Sequence, residues 1–375
     1  MDLFSGFEDG LLRGIGAYAR PRKAWRIEHV LPAPEGARKL LALTPSGILI
    51  RNSDHVLPEV LLQAKIPIVN IDNLPVLAGV GRVSNDNPKI GAMAAEHFLT
   101  RGHTRFAYYA KQPSREDERL LGFQQRLQTA GQEAEVFHGG PNDPNPKVSR
   151  AYEQRLTKWL TDLTKPVAVF CDGDRFAWMI AERCRTLALK VPEDVAILGV
   201  DNVASVSAIS EPALSSIQTA SDRIGYEAAQ LLDQMLERKA SRAAVIKVPP
   251  VRVVIRRSTD AVSVPDPLVG PALEHMRAHL TDTAGLVLLS EQLKCSRRTL
   301  ERRFADVLGI TPAEAWSRFR LEEAQRLLAD TALSLQAVAA QSGLHSSPQM
   351  SAVFKRMTGR TPREFRRLAC PGGTS

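Results

Sequence analysis

Among its 375 residues the sequence has no apolar run approaching the roughly 18 residues that a bilayer-spanning helix needs, so no membrane partner is expected. Cysteine is scarce and scattered: Cys171, Cys184, Cys295 and Cys370 form no C-x-x-C pair, which reads as free thiols in a reducing compartment rather than a disulfide framework. The opening stretch, Met1 to Gly10, lacks a basic n-region and an apolar h-region. No signal peptide is expected, and the expected compartment is the cytoplasm. The motifs of the common enzyme classes are missing as well. There is no Walker A loop, no H-E-x-x-H, no Ser or Cys nucleophile signature, and no grouping of the eight histidines with cysteine at zinc spacing. Gly14-Ile15-Gly16-Ala17-Tyr18-Ala19 fits G-x-G-x-x-A, but it lies inside an amphipathic helical pattern and not at a strand-to-helix turn, so it is read as coincidence. The expectation is a non-enzyme with no cofactor and no metal.

What is present is ordinary globular composition, 44% apolar and 24% charged, in a chain long enough for two or three folding units of roughly 150 residues each. The net charge of +8 is uneven. From Pro271 to Ser375 there are 15 basic and 10 acidic residues, a net +5; the preceding 270 residues carry the other +3. An Arg-rich C-terminal end suits contact with phosphates.

Up to about Thr259 short apolar runs alternate with amphipathic helical patterns. The strand candidates are residues 47–50, 66–70, 106–109, 167–170 and 195–200, each uninterrupted by charge and so expected to be buried on both faces. Helical patterns run over 90–99, 116–129, 175–187 and 222–236. This alternation predicts an α/β architecture with parallel sheets. Val264-Pro265-Asp266-Pro267-Leu268 is a proline-broken joint, beyond which the strand signal ends. The expected division is a first domain over 1–260, a linker over 261–270 and an all-α domain over 271–375.

The all-α part contains a duplication. Leu300 and Phe304, followed by Gly309-Ile310-Thr311-Pro312, match Met350 and Phe354, followed by Gly359-Arg360-Thr361-Pro362. Before the second copy, Ala339 and Gly343 give a small residue and a turn glycine at helix-turn-helix spacing, with Ser347-Pro348 opening the next helix as cap and first-turn proline. In the first copy Lys294 stands where the turn glycine is expected, and Ser296 is the cap. Leu300, Phe304, Trp316, Met350 and Phe354 are read as core. This pair of units resembles the AraC/XylS family of DNA-binding domains. The resemblance implies double-stranded operator DNA as partner, with Arg297, Arg298, Thr299 and Arg302 facing it from the first unit and Ser346, Ser347, Gln349 and Lys355 from the second. Arg suits guanine and Gln adenine, while Ser and Lys more often hold phosphate. Ala352 stands where that family usually has a basic residue, so weaker reading by the second unit is expected.

In the first part, Val191-Pro192-Glu193-Asp194-Val195-Ala196-Ile197-Leu198-Gly199-Val200-Asp201-Asn202, then Ser215 to Gln218, Ile224 to Leu232 and Arg256 to Thr259, together with Asn85 to Leu99, resemble the LacI/GalR and periplasmic-binding-protein family. The resemblance implies a two-lobe (type I) sugar-sensing α/β domain, with the family's first strand missing ahead of Phe4. A sugar wants charged acceptors, bidentate donors and an aromatic wall. The residues expected to supply them are Asp201 and Arg119, with Phe7, Asp172, Asp174, Asp86 and Gln218. Asp201 follows a strand, where α/β folds bind ligands.

The fusion of these two parts, and the junction Val248 to Asp260 with Asp266-Pro267, resemble the family of xylose-operon regulators. That implies D-xylose or a related pentose as ligand, activation of sugar-catabolic genes, a homodimer, and RNA polymerase as a partner of an activator. The alternatives are regulation by another sugar, or a sugar-binding protein with no regulatory role. A periplasmic transport protein would need a signal peptide and no DNA-binding part, and both features point the other way.

Overall fold

The computed structural model describes residues 6–22, 24–29, 36–51, 59–71, 78–110, 117–139, 146–238, 244–260, 264, 266–282 and 285–369. Cys370, the start of the predicted helix at 116, and positions 261–263 and 265 of the predicted linker lie outside the described residues.

Two sheets form the α/β part. The first holds β1 (Ile48–Ile50), β2 (Ile68–Asn70), β3 (Val80–Asn85) and β9 (Val245–Val248), in that order and all parallel. The second runs β10 (Arg252–Val254), β8 (Ser215–Gln218), β7 (Val195–Val200), β6 (Val167–Cys171), β4 (Phe106–Ala110) and β5 (Ala134–His138). It is parallel except where β10 meets β8. Strands β4, β6 and β7 are buried at every position, as their unbroken apolar runs predict. Helices α1 (Gly6–Ala19), α2 (Gly36–Ala42), α3 (Glu59–Gln63) and α9 (Ser221–Leu236) belong with the first sheet; α4 (Asn87–Thr100), α5 (Glu118–Gln128), α6 (Pro146–Asp162), α7 (Asp174–Thr186) and α8 (Ala204–Ile209) belong with the second. The two sheets with their helices are the two lobes.

The described chain passes between the lobes at three places: Asp86, Thr219 to Ala220, and Pro249 to Val251. These crossings lie side by side. Asp86 N–H donates to the Val248 carbonyl at 2.9 Å, and Val251 N–H to the Gln218 carbonyl at 2.9 Å. The hinge is therefore one hydrogen-bonded ribbon rather than three independent threads.

Close backbone approaches set the helices of each lobe. A Cβ added at Gly91 of α4 would collide with the Arg119 carbonyl, and one at Gly122 of α5 with the Pro88 carbonyl. Glycine at both sites lets α4 and α5 touch through their backbones. Gly14 does the same for α1 against α9, where a Cβ would strike the Asp222 carbonyl. The G-x-G-x-x-A string thus lies within a helix, as expected, and its first glycine has a packing cause.

Beyond the joint come α10 (Val269–Ala278), α11 (Gly285–Gln292), α12 (Arg297–Leu308), α13 (Pro312–Asp330), α14 (Leu335–Gln341), α15 (Ser347–Thr358) and α16 (Pro362–Ala369), with no strand among the described residues. The repeated Thr-Pro pairs start helices. Thr311 accepts from the Glu314 N–H at 3.2 Å, and Thr361 and Glu364 cap one another, the Glu364 carboxylate accepting from the Thr361 N–H at 2.7 Å. Leu300, Phe304, Met350 and Phe354 are fully buried and Trp316 nearly so.

Candidate ligand cleft and nucleic-acid interface

Between the lobes lies a cavity of about 70 Å³ lined by Phe7, Arg51, Ile71, Ser84, Asn85, Arg119 and Asp201. The sheet residues at its wall come from the C-terminal ends of parallel strands: Arg51 follows β1, Ile71 follows β2, Ser84 and Asn85 end β3, and Asp201 follows β7. Phe7 lies in the first turn of α1. The Arg51 guanidinium sits 5.2 Å from the centre of its ring and pairs with Glu8.

Arg119 is held from two sides. Its Nε donates to Asn87 Oδ1 at 2.8 Å, and its Nη1 to the Asp172 carboxylate at 3.1 Å and to the Asp172 carbonyl. Burial works against its charge, but Asp172 and then Asp201 outweigh burial and hold its pKa above the ordinary value. Asp201 shows the opposite balance. Burial raises its carboxyl pKa, and Arg119 and Arg51 pull it back only in part. Its backbone has φ of +96° and that of Asn202 +52°, two consecutive residues at positive φ directly after β7. The Thr219 hydroxyl donates to Asp201 Oδ1 at 3.4 Å.

Ser84 Oγ and Asn85 Oδ1 are buried at this cavity with no hydrogen-bond partner among the described residues. Burying an unmet polar group costs about 1–3 kcal/mol, so two of them at one cavity make it a candidate site for a polar ligand. Sequence reasoning passed over both residues, and Arg51 and Asn87 with them.

Of the residues predicted to bind a ligand, Phe7, Arg119 and Asp201 meet at this cavity, and Asp172 touches it through Arg119. The structure places the other three off its lining. Asp174 accepts from the Ser216 hydroxyl at 2.6 Å and the Val203 N–H at 2.7 Å, and burial pushes its pKa up to about 7. Asp86 caps α4 and pairs with Lys89 at 2.8 Å. Gln218 accepts from Arg252 at 3.3 Å.

A larger cavity, about 340 Å³, lies between the second lobe and α13. Its charges are matched within the protein: Arg101 with Glu322 at 3.0 Å, Arg252 with Asp330 at 2.7 Å, Arg326 with Glu323 at 2.6 Å, and Arg277 with Asp260. With those pairs already made, it reads as a joint. The smaller cavity, with its unmet groups, is the better ligand site.

In the helical part α11 and α12 form one helix-turn-helix unit, α14 and α15 the second, and α13 joins them. Lys294 takes the left-handed conformation, φ +50°, that Gly343 takes in the second unit at +74°. Lysine therefore holds at this position the left-handed conformation that glycine holds in the second unit. The second turn is one residue longer, and its helix is capped by Ser346, whose Oγ accepts from the Gln349 N–H at 3.3 Å. Ser347 is the first helical residue, which corrects the cap assigned from sequence. Arg297, Arg298 and Arg302 are exposed on α12, and Ser346, Gln349 and Lys355 on α15 and its cap, with Thr299 and Ser347 half-buried. Arg297 pairs with Glu301 at 2.8 Å, and the Thr299 hydroxyl is engaged by Ser296 at 2.9 Å. Arg298 and Arg302, one turn apart on one face, have no protein partner among the described residues. Arg356, which sequence reasoning did not single out, is exposed beside Lys355.

Residues 95–259 match the periplasmic binding protein-like domain family, and residues 289–368 match a helix-turn-helix domain family. Over 369 residues the chain is 28% identical to the xylose operon regulatory protein of Escherichia coli strain K12, covering 96% of this chain and 94% of that protein. It is 27% identical over 288 residues to the protein of the same name from Haemophilus influenzae, covering 76% of this chain and 74% of that one. A solved structure described as the xylose-binding transcription activator xylR superposes with a TM-score of 0.59 at 28% identity, over 96% of this chain and 95% of that one. The chain joins a periplasmic binding protein-like α/β domain to a C-terminal helical domain with two helix-turn-helix units, the architecture of a sugar-responsive DNA-binding transcription regulator.

Proposed function

We propose that this regulator is switched by D-xylose or a closely related pentose bound between its lobes, and that it activates sugar-catabolic genes. The observation that carries the reading is the small inter-lobe cavity in which Arg119 and Asp201 meet the unmet Ser84 Oγ and Asn85 Oδ1. The flanking charges are already matched, Arg119 with Asp172 and Arg51 with Glu8, so the site suits a neutral polyhydroxyl ligand and not an ion. The names of the relatives supply the choice of sugar.

Phe7 packs one face of the sugar, while Arg119, Asp201, Ser84 and Asn85 bind its hydroxyls, with Asp172 orienting Arg119. Asp174, Asp86 and Gln218 support the cleft walls. On DNA, Arg298 and Arg302 read bases from the first unit and Gln349 from the second. Arg297, Thr299, Ser346, Ser347 and Lys355 position the helices on phosphates. The sensor spans 1–260, the joint 261–270 and the DNA-binding part 271–375. The protein works in the cytoplasm as a homodimer, recruits RNA polymerase, and does not turn over its sugar.

The test is calorimetric titration of the whole chain with D-xylose, L-arabinose, D-ribose and D-glucose. Saturable binding of one pentose, abolished in Asp201→Asn, is expected; binding unchanged in that variant overturns the site.

A further inference from the structure

The two helix-turn-helix units are fastened to different parts of the sensor. The first packs on the N-terminal part of α13, the helix shared by both units, and through it on the second lobe. From α13, Arg318 pairs with Glu96 at 2.5 Å and Glu322 with Arg101 at 3.0 Å, both on or capping α4. Its own core of Leu289, Leu300, Phe304, Trp316 and Phe319 closes with α10. The second unit reaches the hinge. Arg360, in the turn between α15 and α16, donates from Nη1 to the Pro250 carbonyl at 3.0 Å and from Nη2 to the Pro249 carbonyl at 3.4 Å. These prolines form the third crossing, between β9 of one lobe and β10 of the other.

The chemistry of that crossing makes it a natural handle. Proline has no N–H, so neither residue can donate to a sheet, and their carbonyls face outward to a guanidinium. Val248 and Val251 flank the prolines and are buried. They belong to one continuous apolar cluster that runs from Leu11, Ile224 and Leu232 of the first lobe, through Leu328 of α13, to Met350 and Phe354 of the second unit. Around Arg360 the charged neighbours are Arg223 of α9 and Glu364 of α16. Any rotation of the lobes turns on the hydrogen-bonded ribbon of three crossings, so it moves the carbonyls that Arg360 holds.

We infer that Arg360 is a positioning residue that gears the second helix-turn-helix unit to the lobe hinge, so that closure of the lobes on sugar moves α15 while α12 stays with the second lobe. This rests on the proposed sugar reading. A ligand shifts such an equilibrium only by its differential affinity for the two arrangements, and the coupling is reciprocal between sugar and DNA.

The experiment is amide hydrogen exchange on the full chain with and without D-xylose, in the unaltered protein, Arg360→Ala and Arg360→Lys. In the unaltered protein D-xylose should change exchange at the cleft (84–87 and 201–203) and at 347–369. In Arg360→Ala the cleft response should persist while the response at 347–369 is lost. The sugar-free exchange there should rise about tenfold, the loss of roughly one net hydrogen bond. Lysine, which keeps the charge and can reach one carbonyl, should restore part of the response. A cleft response with an unchanged response at 347–369 in Arg360→Ala overturns the gearing and leaves the sugar reading standing. No cleft response in any of the three proteins overturns the sugar reading, and the gearing falls with it.

Discussion

Arg101, capping the end of α4, and Glu322, midway along α13, form a two-pronged ion pair of 3.1 and 3.0 Å across the joint between the α/β part and the helical part. The Arg101 side chain is 1% exposed, so the pair has little water to fall back on. Removing one partner of a buried pair leaves an uncompensated charge, whereas replacing both with apolar groups is often tolerated. Glu322→Gln should therefore cost about 3 kcal/mol, the low end of the range because Glu322 is partly exposed. The double change Arg101→Met with Glu322→Leu should recover most of it. Denaturant unfolding of the three variants measures this; a Glu322→Gln protein as stable as the parent would show that the joint does not depend on the pair.

The same joint should be sensitive to acid. Arg101 donates to His97 Nδ1 at 3.0 Å, so the His97 proton sits on Nε2, directed at the Thr259 hydroxyl 2.9 Å away. Burial, then the charge of Arg101, holds His97 well below its ordinary pKa. His103 is buried with neither ring nitrogen partnered among the described residues, and burial followed by Arg101 lowers its pKa to about 3. Depressed folded-state values mean that the unfolded chain takes up protons first. The stability from keeping both rings neutral is present above pH 6.5 and is lost as pH falls from there toward 3. Asp174 works in the opposite direction. Its folded value near 7 means its contribution is present below the ordinary carboxylate value of 3.8 and is lost as pH rises toward 7. His103→Phe should flatten the acid limb of a stability-against-pH curve, and Asp174→Asn should remove the loss of stability that Asp174 causes between pH 4 and 7. An unaltered curve in either variant would remove that group from the account.

How much of this was legible beforehand follows from chain geometry. The strand at 195–200 and the duplicated Phe-x-x-x-x-Gly-x-Thr-Pro pattern announced themselves because their residues are neighbours in sequence. Strand β3, Val80 to Asn85, did not, because Arg82, Ser84 and Asn85 break its apolar run, and Ser84 and Asn85 are polar where they face the cleft. Strand β8 was read as part of a family string and not as a strand. Its Ser215 and Ser216 are buried but their hydroxyls are satisfied, donating to the Arg256 carbonyl and to Asp174, so burial there leaves no hydrophobic trace. The joint was invisible for a different reason. Arg101 and Glu322 are 221 positions apart, and Arg360 lies 110 from Pro250; nothing local in sequence links them.

The glycine contact between α4 and α5 connects packing to the cleft. Gly122→Ala would push its Cβ into the Pro88 carbonyl and so move α5, which carries Arg119. Overpacking of this kind costs about 1–3 kcal/mol. The expected outcome is a folded but less stable protein whose sugar affinity falls more than its DNA affinity. Equal loss of both in parallel titrations would mean that the effect is global unfolding and not displacement of Arg119.

On the DNA side the exposed, unpartnered pair Arg298 and Arg302 should behave differently from Lys355. A bidentate contact to guanine discriminates between bases, while a phosphate contact holds any duplex equally. Arg298→Ala should weaken binding to an operator by about 1–3 kcal/mol and leave binding to random duplex nearly unchanged. Lys355→Ala should weaken both alike and reduce the slope of log affinity against log salt by about one unit. The salt titration decides between these roles because a counterion is released for each phosphate neutralised, whatever the base. If Arg298→Ala also lowered the slope and affected both duplexes equally, Arg298 would be a phosphate clamp. Base reading by the first unit would then fall to Arg302, whose side chain lies one turn further along the same exposed face of α12.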